Sequence, residues 1–347
     1  MVGMKHERYE LYQYQSLSLD AKVRVSRQRV QQWYEYYGGL CYVARSGGKD
    51  SDVLGHLVKE MYPDVPGVFC DTGLEREGVR NHALLVSDEV IRPKKDFVSI
   101  VTEYGYPVIG KEVAQKVNEC QKAIAKGKPI PSYHFDRFNG LKLSPDGSKS
   151  PYNMEKWAFL LDAPFRISQK CCSISKKNPS IEYEKRTGRK PFIATLASES
   201  RLREQKWMRH GCNAYEQDRP TSQPLSFWTE QDILLYIKRN NIELAKEYGE
   251  IVYTDSDGFL YENCLFDDMD LTTSGLTRTG CAFCLFGITG VDQDRFLRLK
   301  ESEPRKYDYI MRGGKFDEYG YWVPDKGLGY RFVIDWLNEH GNLNIRY

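Results

Sequence analysis

The sequence predicts an α/β fold, a mainly parallel, doubly wound sheet with a cysteine-rich C-terminal appendage. Three features support this. First, the apolar run Leu40-Cys41-Tyr42-Val43-Ala44 leads into Ser46-Gly47-Gly48-Lys49-Asp50-Ser51, after which Val53, Leu54, Leu57, Val58 and Met61 recur at helical spacing. That order reads strand, tight loop, helix. Second, Val65 to Cys70 is a short apolar run ending in Asp71-Thr72-Gly73. Third, Pro191-Phe192-Ile193-Ala194-Thr195-Leu196 is another such run, followed by polar residues. Strands alternating with helices imply a parallel sheet covered on both faces.

The remaining elements follow in chain order. Leu19 to Tyr36 is an amphipathic helix entering the first strand, and residues 89–91 are a third strand. Residues 107–127 open with Pro107-Val108-Ile109 and continue as a basic helix. Residues 128–162 are rich in Lys, Pro, Ser, Asp and Gly and read as an irregular insertion or lid. Residues 229–240 form a helix carrying Ile233, Leu234, Tyr236 and Ile237. Thr229 suits its N-cap, with the acid one residue early for a capping box. Loops and aromatics dominate afterwards. The expected division is therefore a nucleotide-binding domain over 1–245 and a metal-cluster region over 246–347.

A chain of 347 residues can bury a sizeable core. Its 50 basic and 48 acidic residues leave a net charge of +2, so no global charge points to nucleic acid. No apolar run is long enough to span a bilayer, and the N-terminal residues do not read as a signal peptide. The expected location is cytoplasmic. Nine cysteines there point to metal or redox chemistry rather than disulfides.

The loop has the chemistry of a phosphate cradle. Glycines let backbone N–H groups approach an anion, and a helix N-terminus adds donors and a favourable dipole. Lys49 supplies a point charge, Asp50 lies beside it, and Ser46 and Ser51 offer hydroxyls. Arg45 is either a further phosphate contact or a solvated side chain. Asp71 and Thr72 end a strand at the edge where open α/β sheets bind ligands. An Asx turn is the competing role for Asp71.

Cys171-Cys172 and Cys281-x-x-Cys284 supply four soft ligands, enough for a Cys₄ zinc or a [4Fe–4S] cluster. Adjacent cysteines are awkward for tetrahedral zinc, which favours iron–sulfur. Cys41 and Cys70 read as core. Cys120 is open, and Cys212 or Cys264 could replace one member of the adjacent pair.

The loop resembles the pyrophosphatase (PP) loop of the adenine-nucleotide hydrolase-like superfamily. With the cysteines and Pro224-Leu225-Ser226-Phe227-Trp228-Thr229-Glu230-Gln231-Asp232-Ile233, followed by Tyr236-Ile237, it resembles the phosphoadenosine phosphosulfate (PAPS) reductase-like family over about residues 20–290. The cysteine pattern is similar to that of adenosine phosphosulfate (APS) reductases and of the ATPase component of bacterial DNA phosphorothioation. The resemblance implies a [4Fe–4S] cluster on Cys171, Cys172, Cys281 and Cys284. It also implies oxyanion contacts from Arg201 and Arg203. The reductases carry a nucleophilic cysteine in a C-terminal tail, whereas the last cysteine here is Cys284.

Two enzymatic expectations follow, together with one non-enzymatic one. The first is an enzyme that binds ATP with Mg²⁺, releases pyrophosphate and activates an acceptor for sulfur transfer. Its donor would be a cysteine desulfurase and its acceptor nucleic acid. Lys111, Lys116, Lys122, Lys126, Lys128, Lys176, Lys177 and Lys190 would supply a groove. The second is APS or PAPS reduction to sulfite, with a thioredoxin-like donor and a nucleophile among Cys120, Cys212 and Cys264. The third is a nucleotide-sensing subunit without turnover.

Overall fold

In a parallel sheet buried on both faces, a central strand carries apolar residues at successive positions. Cys41–Arg45 does so, with Cys41, Tyr42 and Val43 all buried. The computed structural model, which describes residues 5–264, 269–290 and 293–347, shows why both faces must be apolar. Cys41 and Val43 pack with Val30, Trp33, Val53, Leu54, Leu57, Val58, Ile233 and Ile237. Tyr42 packs on the opposite face with Val68 and Tyr183. Helices therefore cover the sheet on both sides.

The strand order is Glu89–Ile91, Gly67–Cys70, Cys41–Arg45, Lys190–Phe192, Thr221–Ser222, Asn213–Ala214. All neighbours are parallel except the last pair. From Cys41–Arg45 the chain builds outward one way to residue 91 and later the other way from residue 190. The order thus reverses beside Cys41–Arg45, and a reversal point is where such sheets bind ligands. Ser46 begins the loop leaving that strand. The fold class expected from the sequence is present: a mixed α/β architecture with a mostly parallel central sheet.

The helices expected at 19–36 and 229–240 are Leu19–Tyr36 and Glu230–Asn240, and the strand expected at 89–91 is Glu89–Ile91. One local expectation is corrected. Asp232, not the preceding acid, occupies the third position of the Glu230–Asn240 helix and closes a full capping box with Thr229. It accepts from the Thr229 N–H at 2.7 Å and hydroxyl at 2.8 Å, and pairs with buried Lys22 at 2.6 Å.

The chain divides into two compact units, each assembled from two separated segments. One comprises Met1–Arg92 with Pro179–Gly280, the other Pro93–Asn178 with Cys281–Tyr347. This differs from a cut at residue 245. Residues 246–280 join the first unit because Ile251–Thr254 pairs with Asp270–Thr273 and the Gln231 side chain bonds Leu271 through both its amide groups.

In the second unit, Val108–Ile109 runs parallel to Leu285–Phe286, and Tyr106 bridges to Ile167. Its core includes Tyr106, Phe165, Phe296, Val333, Ile334 and Leu337. The stretch read as an irregular insertion contains the Ser132–Phe138 helix and a 3₁₀ helix, Glu155–Asp162, with Phe138, Met154 and Leu160 buried. Its polar composition had concealed these widely spaced anchors. Among the described residues no helix is long and apolar enough to cross a membrane.

Candidate functional site

The glycine loop turns sharply from the Cys41–Arg45 strand into the Lys49–Met61 helix. Gly47 has φ 69°, and a Cβ there would lie 2.4 Å from the Val79 carbonyl oxygen, so only glycine fits. Gly48 is the N-cap of the Lys49–Met61 helix and supplies no capping side chain. Hydroxyls stitch the loop instead. Ser51 Oγ donates to Gly48 O at 2.7 Å, Ser46 N–H donates to Ser51 Oγ at 3.2 Å, and Gly48 N–H donates to Ser46 Oγ at 3.3 Å.

The ammonium of Lys49 is buried. It donates to Thr277 O at 2.6 Å and pairs with Glu230 at 2.8 Å, with the Tyr248 ring 5.5 Å away. The Lys49 backbone N–H donates to the Tyr248 hydroxyl at 3.2 Å, which shares a 2.8 Å hydrogen bond with Thr279. The Glu230 carboxylate and Tyr248 hydroxyl therefore occupy the ammonium and the backbone N–H of Lys49. Glu230 is placed there as the first residue of a helix whose start is fixed by the Thr229–Asp232 box.

Asp50 is half-buried, and its Oδ1, itself buried, has no hydrogen-bond partner among the described residues. Burial pushes its carboxyl above the ordinary range, Lys49 pulls it back and Glu230 pushes it further up. Arg278 and Arg203 act on it more weakly. Both arginines pair with Glu199. Arg203 thus joins the neighbourhood of the loop; Arg201, two residues earlier at the start of the same helix, is exposed, as is Arg203.

Arg45 is neither a phosphate contact nor solvated. Its side chain is buried and donates to Ser51 O at 2.7 Å and to Val86 O at 3.3 and 3.2 Å. Asp71 pairs with Arg80 through two bonds of 2.8 and 2.7 Å and lies 3.4 Å from Arg92. The Arg80 hydrogen bond holds its carboxyl below the usual range. It also accepts from Gly73 N–H at 3.3 Å, the Asx-turn role. Thr72 donates to Glu75 at 2.9 Å.

The four cysteines singled out from the sequence all belong to the second unit. Cys284 precedes a strand that lies beside Val108–Ile109, and that strand is followed directly by the Lys111–Ile124 helix. Cys171 and Cys172 sulfurs are 3.8 Å apart. The hydrogen bond between them, with burial, pushes the Cys171 thiol well up, and Cys172, Cys284 and Cys281 add to this. The same bond holds Cys172 down to about 6, helped by Lys111, Lys176 and Lys177 and opposed by burial. Arg295 donates to the Cys284 carbonyl.

Soft sulfur donors with cations beside them suit a Cys₄ metal group, whose thiolates bring excess negative charge. Among the described residues, however, no group of three or more His, Cys, Asp or Glu side chains is arranged to hold a metal ion. Cys212 is buried in the first unit, where Ser226 donates to its sulfur at 3.4 Å. Cys120 is buried, and burial pushes its thiol up to about 11. Cys264 is exposed. Of the lysines proposed for a groove, Lys116 pairs with Glu119, Lys111, Lys176 and Lys177 act on Cys172, and Lys190 lies in the central sheet.

Sequence reasoning passed over Glu230, Tyr248, Thr277, Arg278 and Thr279. Glu230 stood inside a recognised segment but reads as an ordinary helix-start acid. The others lie in a loop-rich stretch whose relation to the glycine loop depends on tertiary pairing.

No protein-family model matches the chain. No curated protein matches it either. Among solved structures, it is similar to a phosphoadenylyl-sulfate (PAPS) reductase from Candida auris in a phosphate complex. The two share 13% identity with a TM-score of 0.36, over 67% of this chain and 91% of that one.

Proposed function

We propose that the chain is a PP-loop enzyme that binds ATP at Ser46–Ser51, releases pyrophosphate and activates an acceptor for sulfur transfer. The observation carrying this reading is the internal occupancy of the loop. A buried ammonium and a helix-start N–H are held by Glu230 and Tyr248 oxygens, as an anion's oxygens would hold them. An acceptor oxygen would attack the α-phosphorus, the bond from that phosphorus to the bridging oxygen would break, and pyrophosphate would leave. Lys49 and the loop amides would offset the charge developing on it. Asp50, with an unpartnered buried oxygen, would hold Mg²⁺, which supplies further charge neutralisation.

Cys171, Cys172, Cys281 and Cys284 would hold a [4Fe–4S] cluster, with zinc as the alternative. When bound, the cluster would supply a thiophilic surface for sulfur handling. A cysteine desulfurase is the donor class that fits, and nucleic acid is the proposed acceptor. Arg203 and Arg278, both exposed, extend the positive surface beside Asp50, and Arg201 would be a peripheral oxyanion contact.

The second reading is a sulfonucleotide reductase using a thioredoxin-like donor. It has a specific difficulty: Cys120 and Cys212 are buried, leaving Cys264 as the exposed cysteine among its three candidate nucleophiles. Calorimetric titration of anaerobically purified protein with ATP, APS and PAPS separates the readings. Preference for ATP, abolished by Lys49→Ala, is expected. Preference for a sulfonucleotide would replace the first reading with the second. Tight ATP binding without turnover, with every donor and acceptor class tried, would leave a nucleotide-sensing subunit.

A further inference from the structure

Two tyrosines of the second unit, Tyr133 and Tyr152, are exposed, and Lys142 sits between them. Its ammonium lies 4.5 Å from the Tyr133 ring centroid and 5.4 Å from that of Tyr152, and donates to the Tyr133 hydroxyl at 2.9 Å. Among the described residues no carboxylate pairs with it.

The three residues come from separate segments that are fastened together. Tyr133 stands on the Ser132–Phe138 helix. Arg137, one turn on, is buried, lies 5.7 Å from the Tyr133 ring and donates to Tyr152 O at 2.7 Å. The Asn153 side chain accepts from Lys142 N–H at 3.2 Å and donates to Lys142 O at 2.9 Å. The backbones carrying both rings and the ammonium are therefore fixed to one another.

The surrounding charge is positive. Nearby acids are already matched, Glu112 by Arg137 at 2.7 Å and Glu119 by His134 at 2.6 Å and Lys116 at 3.2 Å. The Lys142 hydrogen bond holds the Tyr133 phenol below its ordinary range, against burial, and Arg137 and Lys116 add to it. The Glu119–His134 contact joins the tyrosine-bearing helix to Lys111–Ile124. At and beyond the end of that helix, Lys122, Lys126 and Lys128 are exposed, with no ion pair among the described residues. Burial, then the like charges of Lys170 and Lys126, push the Lys122 ammonium down. Protein interfaces are poor in lysine, and a lipid surface asks for a continuous apolar face. Exposed rings interleaved with unmatched ammoniums fit bases and phosphates.

We propose that Tyr133 and Tyr152 form a stacking platform for bases of a single-stranded nucleic acid, with Lys142 on its phosphate backbone and Lys122, Lys126 and Lys128 extending the track. The inference deepens the acceptor part of the function above and rests on nucleic acid being that acceptor. An ammonium has three donors, and the Tyr133 hydroxyl takes one, leaving two for phosphate oxygens. Duplex is the poorer ligand, because its bases are already stacked on one another.

The test titrates the full-length protein, without nucleotide, with labelled oligothymidylate and oligouridylate of about 12 nucleotides and with a duplex of the same length. Wild type binds a single strand, and the duplex about fivefold more weakly or worse. Tyr133→Leu and Tyr152→Leu each weaken single-strand binding about fivefold or more, with the salt dependence unchanged. Lys142→Gln lowers the salt slope by about 0.7, one phosphate contact on a single strand. Single-strand binding that either tyrosine variant leaves unchanged, a slope unchanged by Lys142→Gln, or duplex bound as tightly would overturn the inference and leave nucleic acid standing as the acceptor. Wild type that binds none of the three probes overturns both, while titration with ATP still reports separately on Ser46–Ser51. If a tyrosine variant does not fold, photocrosslinking of wild type to iodouridine-substituted oligouridylate replaces it. Adducts at Tyr133 or Tyr152 are expected, and their absence from both overturns the inference.

Discussion

Gly55→Ala should destabilise this protein, although helix propensity alone predicts the reverse. Gly55 lies inside the Lys49–Met61 helix, where alanine is ordinarily better than glycine by about 1 kcal/mol. Here an added Cβ would sit 1.6 Å from Arg45 Nη1 and 2.4 Å from its Cζ. The guanidinium would have to leave its buried position, where it bonds Ser51 O and Val86 O and lies 3.7 Å from Asp52. Each hydrogen bond from a charged group contributes about 1.5–3 kcal/mol. Losing two exceeds the propensity gain, so the net cost is about 2 kcal/mol or more. Urea unfolding of the single and double variants with Arg45→Met would measure it. The alanine penalty should shrink sharply once Arg45 is methionine. A Gly55→Ala protein as stable as wild type would refute the reasoning. Because Arg45 holds the first turn after the loop, the same variant should also bind nucleotide more weakly.

Lys49→Ala should fold yet bind ATP at least tenfold more weakly by calorimetry, since it removes a charge-assisted bond of about 1.5 kcal/mol or more. Glu230→Gln should tighten ATP binding up to about fivefold, the scale of one partly exposed ion pair at ~1 kcal/mol; unchanged or weaker binding would count against Glu230 as an internal stand-in. Asp71→Asn should lower thermal stability at neutral pH. Its folded carboxyl is depressed by Arg80, so the stabilisation is present above the unfolded value and disappears as pH falls through the folded one. The gap in melting temperature to wild type should therefore close below about pH 4. Serine at Cys171, Cys172, Cys281 or Cys284 should deplete bound iron, whereas Cys212→Ser should retain it; iron analysis of anaerobic preparations decides.

Much of the central sheet was legible because its signals are local. Glycines before Lys49, the apolar spacing of Val53 to Met61, and the acid after Cys70 each follow from residues adjacent in sequence. The Leu19–Tyr36 helix was legible for the same reason. The neighbours of Lys49 were not, because Glu230, Tyr248 and Thr277 reach it through pairing between distant segments. Arg45 was misread because only the gap left by Gly55 reveals that a charged strand-end residue is buried. Lys142 gave no signal at all: a lysine in a polar stretch looks solvated until the Tyr133 and Tyr152 rings are found beside it.

The interleaving of the two units has a consequence for biogenesis. Synthesis delivers residues 93–178 before the second half of the unit to which they belong, so that unit remains incomplete until the final segment emerges. Cys171 and Cys172 are made before Cys281 and Cys284, the other two of these cysteines in that unit. Only when Leu285–Phe286 pairs with Val108–Ile109 do all four belong to one folded body. Such late, long-range closure is slow and leaves partly folded chains vulnerable. Ribosome-bound chains stalled before residue 281 should therefore be cut by protease within residues 93–178 more readily than the full-length protein.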